Sequence, residues 1–455
     1  MPGLTIDSAP SIPLREFLAQ EAHAISAACT KCGKCVEVCP VIPFGAAAGH
    51  QASTVAGGIV EFLARGDALG VASEAWAATC NGCGLCIPEC PEGINPRKML
   101  ALAGAQSSSL GSKTPELFRQ MSRAIKVMVA MQIVPDKFRR VFTPPPARQV
   151  PVVFYLGCNA LRTPHLLFNS MAVLDALDVD YEVVGGPSSC CGVIATKWEG
   201  NADTGERVTS NTIDRFEGFR PEKVLNWCPT CQLHLGETLD GFRKRTYDFD
   251  HLTKYLTGRI DALREKFVIP IAKRVIVHAH VGRADICQDV DMLLRAIPGI
   301  EIIETVFESG YTCGGSGCSK APELAVREHA ELINRAHATK ADILVTLYHG
   351  CHTVFLSAEA ASQLRVLNFT DLLVEALGGI PHVDRLKQFQ LLGDWGMIVD
   401  DARPYLLANG LDIDPEWLKQ HGPAIFAALE FKGQLDCFKA PERIAYEGHS
   451  HGVAS

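Results

Sequence analysis

Short apolar runs alternate with segments of helical periodicity over most of the chain beyond about residue 150. Four such runs begin at Val152, Val224, Val275 and Ile343. A short, uniformly apolar run between loops is typical of a strand that is buried on both faces, as in a parallel sheet. The stretch 324–338 has apolar residues at helical spacing. Strands that alternate with helices predict an α/β architecture for this part of the chain.

The first part of the chain shows helical patterns only. The segment from about 41 to 78 is rich in Ala and Gly and has helical apolar spacing around Ile59. An amphipathic helix is predicted from Pro115 onward, and we interpret its Met stripe as a helix-packing surface. Pro144–Pro146 marks a linker. We therefore predict an all-helical module ahead of the α/β region.

Composition and charge narrow the class of protein. The 455 residues correspond to about three domains, and 47% hydrophobic with 21% charged residues is ordinary for a globular chain. A net charge of −8 argues against a nucleic-acid partner. We find neither a signal peptide nor an apolar run long enough to span a membrane, so we expect a cytoplasmic protein that associates with a membrane only through a partner. In a reducing compartment, the clusters among its 18 cysteines indicate metal sites.

The first eight cysteines form two copies of one pattern, C-x2-C-x2-C-x3-C-P. In two-cluster iron–sulfur proteins, the first three cysteines of such a run bind one [4Fe–4S] cluster and the fourth binds the other. We therefore predict two cubane [4Fe–4S] clusters, one held by Cys29, Cys32, Cys35 and Cys90 and the other by Cys80, Cys83, Cys86 and Cys39. A pair of zinc sites fits this doubled spacing poorly. Gly33 and Gly84 let the backbone approach the clusters closely.

Five later cysteines follow a different spacing: Cys158, Cys190, Cys191, Cys228 and Cys231. Adjacent cysteines do not bind one iron of a regular cube comfortably, but they can supply terminal and bridging thiolates to a distorted cluster. The spacing alone predicts a cysteine-rich metal site at the carboxyl ends of strands and does not determine the kind of cluster.

This C-x31-CCG-x35-C-x2-C arrangement resembles the CCG signature of heterodisulfide reductase catalytic subunits and their relatives. The resemblance implies that the five cysteines bind a noncubane [4Fe–4S] cluster and form the catalytic site. A helical two-cluster module fused to two CCG units, over about residues 20–375, resembles the fused D-type subunit of heterodisulfide reductase. The iron–sulfur subunits of glycolate, lactate and glycerol-3-phosphate oxidising enzymes share this layout.

The family carries two CCG units, and an internal repeat is visible here. Aligning Cys231 with Cys351 places Phe249 on Phe369, and we predict that each opens an apolar helix. The alignment also places Cys228 on Tyr348. The second unit therefore keeps only part of the ligand set, around Cys313 and Cys351.

Three interpretations of this degenerate second site remain open. It is a vestigial half whose residues only pack; it binds a further metal, zinc or an iron–sulfur centre, through Cys313, Cys351, His280 and His349, with Cys318 and His352 nearby; or it lines a substrate pocket with histidines as proton donors. The glycines at 314–317 lack the dinucleotide-binding spacing, which argues against an intrinsic flavin or nicotinamide site.

These observations predict five parts: a helical ferredoxin-like domain (1–110), a helical linker (111–150), an intact CCG unit (151–262), a degenerate CCG unit (263–383) and a C-terminal helical extension (384–455). The predicted function is disulfide reduction or thiol oxidation at the noncubane centre, with electrons carried by the two cubane clusters. Partners would be a disulfide or thiol substrate and other redox subunits of a complex, either a flavoprotein or a membrane haem or quinone subunit. The alternative is a relay from a flavin dehydrogenase to quinone.

Overall fold

The structure is a computed structural model that describes residues 12–107, 116–143, 145–146, 148–198, 200–310, 321–362 and 364–428. Its N-terminal part is helical, as predicted. The helices of this part and of the segment that follows it are Leu14–Ala28, Lys34–Glu37, Ala52–Arg65, Val71–Thr79, Pro96–Gln106, Glu116–Ala130 and Pro135–Phe142.

The central helix of this module is Ala52–Arg65, which lies across the predicted helical stretch around Ile59. One face of it is buried, with Ile59 fully inaccessible to solvent. The helix ends where Gly66 adopts φ +74°, a left-handed conformation that a helix C-terminus commonly requires. The helix packs against Leu14–Ala28 on one side and Val71–Thr79 on the other, so the two cysteine loops are held on a compact helical scaffold.

The α/β part contains two four-stranded parallel sheets with the same strand order, β2-β1-β3-β4 and β6-β5-β7-β8. The strands are β1 (Val152–Gly157), β2 (Tyr181–Gly185), β3 (Lys223–Asn226), β4 (Asp248–His251), β5 (Lys273–His280), β6 (Ile300–Glu308), β7 (Ile343–Thr346) and β8 (Arg365–Asn368). The identical order agrees with the predicted internal repeat, and the mixed helical and α/β fold class is confirmed.

Helices connect and cover the strands, as parallel sheets require. They are Pro164–Ala176, Ala202–Gly218, Pro229–Leu233, Leu252–Thr257, Ile260–Lys266, Ala284–Ala296, Pro322–Ala338, His349–Ser362 and Phe369–Ala376, with π-helical turns at Ile194–Trp198 and His234–Thr238. Every residue of β1 and β7 is buried, which accounts for their continuous apolar sequences.

The strand register shows which positions of the two units correspond. Lys223, the first residue of β3, pairs with Val152, and Ile343, the first residue of β7, pairs with Val275. Val152 on β1 and Val275 on β5 are therefore equivalent. Five residues further along these strands, Gly157 is equivalent to His280, and each is the last residue of its strand.

The register corrects one detail of the sequence alignment. Phe249 lies within β4 and does not open a helix, because that helix begins at Leu252 with His251 as its N-cap. Phe369 does open its helix, with Asn368 as the N-cap. The connection from Cys231 to β4 is therefore three residues longer than the connection from Cys351 to β8. The spacing of apolar residues in the sequence did not reveal this difference.

The C-terminal segment forms three further helices, Arg385–Leu392, Trp395–Ala408 and Pro415–Ala428. Trp395–Ala408 and Pro415–Ala428 pack onto helix Glu116–Ala130, and Arg385–Leu392 packs onto helix His349–Ser362. Asn409 anchors the first of these contacts by donating from Nδ2 to the carbonyls of Ala130 at 3.1 Å and Ile133 at 2.7 Å. Within the described ranges, no helix combines the length and apolar character needed to cross a bilayer.

Candidate functional site

The first sheet brings five cysteines together at the carboxyl ends of three neighbouring strands. Cys158 directly follows β1, and Cys190 and Cys191 follow β2 after a short turn. Cys228 follows β3 as the N-cap of the helix that contains Cys231. Because β1 lies between β2 and β3, these loops converge above the centre of the sheet, where open α/β sheets bind ligands.

The five thiols form one buried group, since each of them is at most 6% exposed. Cys158 Sγ and Cys190 Sγ are 3.6 Å apart. Side-chain contacts also join Cys190 with Cys191, Cys191 with Cys231 and Cys231 with Cys228. The sequence prediction that these residues lie around one point thus has a direct geometric counterpart.

Two glycines leave room for this group. Gly157 has φ +72°, and a Cβ there would lie 3.1 Å from Cys231 Sγ and 3.2 Å from Cys228 Cβ. Gly192 has φ +87°, and a Cβ there would lie 2.2 Å from Thr209 Oγ1. The Thr209 hydroxyl donates to the carbonyl of Cys191 at 2.9 Å, so the CCG turn is fixed from the helix behind it.

Hydrogen bonds among the thiols lower the pKa values of two of them and raise those of the other three. Donation from Cys158 and Cys191 lowers the pKa of Cys190 well below its usual value, and donation from Cys231 lowers that of Cys228. The donors show raised pKa values. Tyr155 lies beneath the group, with its hydroxyl oxygen 3.7 Å from Cys231 Sγ. Burial and the surrounding thiols raise the pKa of Tyr155 well above 10, so its hydroxyl keeps its proton.

The donor set fits a polynuclear iron–sulfur centre. A single zinc ion in a structural site takes four ligands, and five mutually adjacent sulfurs exceed that number. Adjacent Cys190 and Cys191 add thiolates that two irons can share. Metals bind thiolates, so binding requires that Cys158, Cys191 and Cys231, whose pKa values are raised, lose their protons.

The first cysteine run forms a group with the last cysteine of the second run. Burial and the thiols of Cys29, Cys32 and Cys90 raise the pKa of Cys35 to about 12. The backbone amide of Lys31 donates to Cys29 Sγ at 3.4 Å. Gly33 has φ +85°, and a Cβ there would lie 2.5 Å from the amide nitrogen of Ser53, so only glycine fits.

The second run groups with the last cysteine of the first. Burial and the thiols of Cys80 and Cys39 raise the pKa of Cys83 to about 12. Trp76 donates from Nε1 to Cys39 Sγ at 3.4 Å. The thiol of Cys35 also acts on Cys86, so the two groups are neighbours. The crossed grouping is the one that the spacing predicts.

The Cys80 loop lies against both α/β units. Arg97 connects it to the first unit, since its guanidinium donates to Glu237 at 3.0 Å and to the carbonyl of Gly82 at 2.9 Å. Asn81 donates from Nδ2 to the carbonyl of Ser309 in the second unit at 3.1 Å. The group formed by Cys80, Cys83, Cys86 and Cys39 is therefore the one that lies next to the two α/β units.

The carboxyl edge of the second sheet carries histidines together with one thiol. His280 Nε2 lies 3.1 Å from Cys351 Sγ. His278 joins them, and one ligand atom from each of the three lies within 4.8 Å of the others. His278 Nε2 is also 3.0 Å from Glu308 Oε2, which lies 3.4 Å from His329 Nε2.

Burial and ion pairing oppose each other in this group. Burial disfavours charge on His278, yet the Glu308 carboxylate and the Cys351 thiol raise the pKa of His278 to about 10. His278 and His329 in turn hold the pKa of Glu308 well below its usual value, despite its burial. The predicted His280 and Cys351 thus lie together, whereas His278, Glu308 and His329 were not predicted.

The other residues predicted for the second site do not join the group of His278, His280 and Cys351 in the described part of the chain. His349 is buried beside Arg162 and near Cys351, and burial lowers its pKa to about 4. Cys313, Cys318 and the glycines at 314–317 lie outside the described residues. His352 lies against Asp384, with Nε2 and Oδ2 separated by 2.6 Å, and so belongs to a different cluster with His165.

Comparisons with known proteins agree with this organisation. Residues 25–94 match the family described as a 4Fe-4S dicluster domain. Residues 152–236 and 278–356 both match the family described as a cysteine-rich domain, CCG. The chain therefore contains one domain of the first kind and two of the second.

Proteins similar over most of the chain are redox subunits. The chain is 24% identical, over 81% of its own length and 98% of the relative's, to the D subunit of the dihydromethanophenazine:CoB–CoM heterodisulfide reductase of Methanosarcina barkeri. It is also 24% identical, over 76% of its own length and 71% of the relative's, to the B subunit of the fumarate reductase (CoM/CoB) of Methanothermobacter marburgensis. The predicted resemblance to the D-type subunits of heterodisulfide reductase is confirmed.

Proposed function

We propose that this chain is the iron–sulfur subunit of a heterodisulfide-reductase-like complex in which it carries the disulfide/thiol site itself. Its first part would hold two cubane clusters, its first CCG unit the noncubane cluster, and its second CCG unit a separate centre. The domain limits proposed above, at residues 110, 150, 262 and 383, follow this division. Bound iron would supply one-electron transfer and positions that accept sulfur.

The observation that carries this proposal is the convergence of five buried cysteines at one strand-end site. Four cysteines suffice for a relay cluster. A fifth, adjacent thiol at the carboxyl edge of an α/β sheet, where such folds bind their ligands, favours a site that also handles a substrate. The names of the relatives add support, because CoM and CoB form the disulfide in the name of the heterodisulfide reductases.

Residues around the five cysteines supply a hydrogen-bond donor and hold the cysteines in place. Tyr155 holds a proton at Oη, 3.7 Å from Cys231 Sγ, and stays protonated because burial raises its pKa. It is therefore placed to donate a hydrogen bond to sulfur. Gly157 keeps the space above the strand end clear, and Thr209 fixes the turn that presents Cys191.

The packing between domains supports an order of the centres along the electron path within the chain. The Cys80 loop contacts the first unit through Arg97 and Glu237. Lys197 lies in the π-helical turn that follows the CCG motif, where burial lowers its pKa and the nearby Cys80 raises it, so this turn also lies close to the Cys80 loop. Electrons would therefore pass between the Cys29 group, the Cys80 group and the five-cysteine site in that order or in reverse.

A disulfide-reduction assay tests the proposal. The anaerobically purified chain, reduced with a low-potential viologen dye, is offered the CoM–CoB disulfide and a panel of other disulfides, and dye oxidation is followed. We expect disulfide-dependent oxidation that is abolished in Cys191→Ala and retained in Cys287→Ala, a buried thiol outside the five. Turnover that is equal in both variants, or dye oxidation by quinones alone, would contradict the proposal and favour the relay to quinone.

A further inference from the structure

The second sheet offers three metal-ligand side chains at one point. His278 and His280 are the alternate residues at the end of β5, and Cys351 lies in the first turn of helix His349–Ser362 after β7. Their ligand atoms lie within 4.8 Å of one another, and each side chain is at most 1% exposed. Imidazole nitrogens and cysteine thiolates are the ligands by which proteins commonly bind zinc.

The same side chains fill the space that the first unit keeps for its five-cysteine site. Strand register makes His280 equivalent to Gly157, and even a Cβ at Gly157 would lie 3.1 Å from Cys231 Sγ. In the second unit that position carries an imidazole, 3.1 Å from Cys351 Sγ. A cluster of four irons has no room where this ring lies.

Tyr348 closes the site from another side. It follows β7 as Cys228 follows β3, and it replaces a thiol by a fully buried ring. This ring stacks on His280 with 5.9 Å between centroids and an interplanar angle of 15°. The second unit has therefore lost cluster ligands and gained side chains that orient an imidazole.

A carboxylate completes the surroundings. Glu308, at the end of β6, contacts His278 at 3.0 Å and His329 at 3.4 Å. Histidines that bind metals commonly donate from one ring nitrogen to a carboxylate, which fixes the ring and its tautomer. With His278 and His280 neutral, the charge of one Zn²⁺ offsets those of the Cys351 thiolate and the Glu308 carboxylate, which lowers the cost of burying these two groups.

We propose that the second CCG unit binds a single Zn²⁺ through His278, His280 and Cys351, with Glu308 orienting His278, in place of a second iron–sulfur cluster. Among the described residues these are the three ligands at this point, and a tetrahedral zinc site has one further position for a fourth ligand such as water or a thiolate. This inference does not depend on the proposed disulfide chemistry, because it concerns the metal content of a different unit.

Metal analysis and zinc-edge X-ray absorption of the full, anaerobically purified chain test it. We expect about one zinc per chain, with two imidazole nitrogens at about 2.0–2.1 Å and one or two sulfurs at about 2.3 Å. His280→Gln and Cys351→Ser should lose the zinc while the iron content is unchanged. Cys287→Ser is the matched control, because Cys287 is a buried thiol that contacts the backbone of His280 at 3.3 Å, and it should keep the zinc.

Three results would overturn the proposal. Zinc could remain far below one per chain even when the cells are grown with added zinc. A ligand shell of three or four sulfurs around the zinc would also overturn it, because such a shell would mean that the zinc occupies the cysteine sites meant for iron–sulfur clusters. The His278→Gln/His280→Gln double variant could keep its zinc. If a variant fails to fold, the ligand shell measured on the native chain decides alone.

Discussion

Replacing Gly157 by alanine tests the five-cysteine site without removing any of its sulfurs. The added Cβ would lie 3.1 Å from Cys231 Sγ. Non-bonded atoms prefer about 3.5–4.0 Å, so the sulfur would have to move by about 0.4–0.9 Å. Metal sites tolerate about 0.2 Å in their ligand distances. The substitution should therefore prevent assembly of the cluster in the first unit.

Gly66→Ala provides the matched control. Gly66 has φ +74°, close to the +72° of Gly157, but nothing lies within 4 Å of its Cβ position. Both variants carry the same backbone penalty, about 1–2 kcal/mol for alanine in the left-handed region. Only Gly157→Ala carries the contact with sulfur, so the difference between the variants isolates the effect on the site.

Iron analysis combined with electron paramagnetic resonance is the assay. Two cubane clusters and one noncubane cluster amount to about twelve irons per chain, and we expect about eight in Gly157→Ala with the cubane signals unchanged. Gly66→Ala should keep about twelve. Full iron content in Gly157→Ala, or equal loss in both variants, would refute the reasoning.

Further substitutions probe the cubane clusters, the domain contact and the response to pH. Trp76→Phe removes the donor to Cys39 Sγ and should lower the midpoint potential of only one cubane cluster in a redox titration; equal shifts in both would contradict the grouping. Arg97→Gln breaks the ion pair with Glu237 and should speed hydrogen exchange in residues 80–86, and unchanged exchange would show that the pair does not hold this loop. Burial lowers the pKa of His251 to about 3, so the folded chain binds its proton less readily than the unfolded chain, and stability is lost as pH falls below about 6.5. Between pH 7 and pH 5, urea unfolding of the native chain should lose about 2 kcal/mol more than that of His251→Gln, and equal losses would contradict the burial argument.

The strands that sequence predicted are the interior strands of the sheets. β1, β3, β5 and β7 occupy the two central positions of each order, are covered on both faces and therefore read as apolar runs. The four edge strands were not predicted. β4, with the sequence Asp-Phe-Asp-His, and β6, with glutamates along its length, carry polar residues that hide the strand pattern.

For the sites too, sequence predicted the residues that lie in a local pattern and missed those that only tertiary structure brings together. Spacing along the chain predicted the two groups of four cysteines, because those ligands lie within short repeated motifs. The five later cysteines span residues 158–231, and their spacing together with the resemblance to the CCG signature predicted that they form one site. His278 had a local signal, since it alternates with the predicted His280 on one strand and so shares its face. Glu308 and His329 had none. Glu308 reaches His278 because β6 pairs with β5, and His329 on helix Pro322–Ala338 reaches Glu308. Both contacts depend on tertiary structure.

The central claim, that the five cysteines bind a centre that accepts substrate sulfur, is tested most directly by electron paramagnetic resonance of the mildly oxidised chain with and without added thiol. The thiols are CoM, CoB and a panel of other low-molecular-weight thiols, and ⁵⁷Fe enrichment identifies signals that arise from iron. We predict a thiol-dependent, ⁵⁷Fe-broadened signal in the native chain that is absent in Cys191→Ala. Spectra that do not respond to any thiol, or a response that persists in Cys191→Ala, would contradict the account.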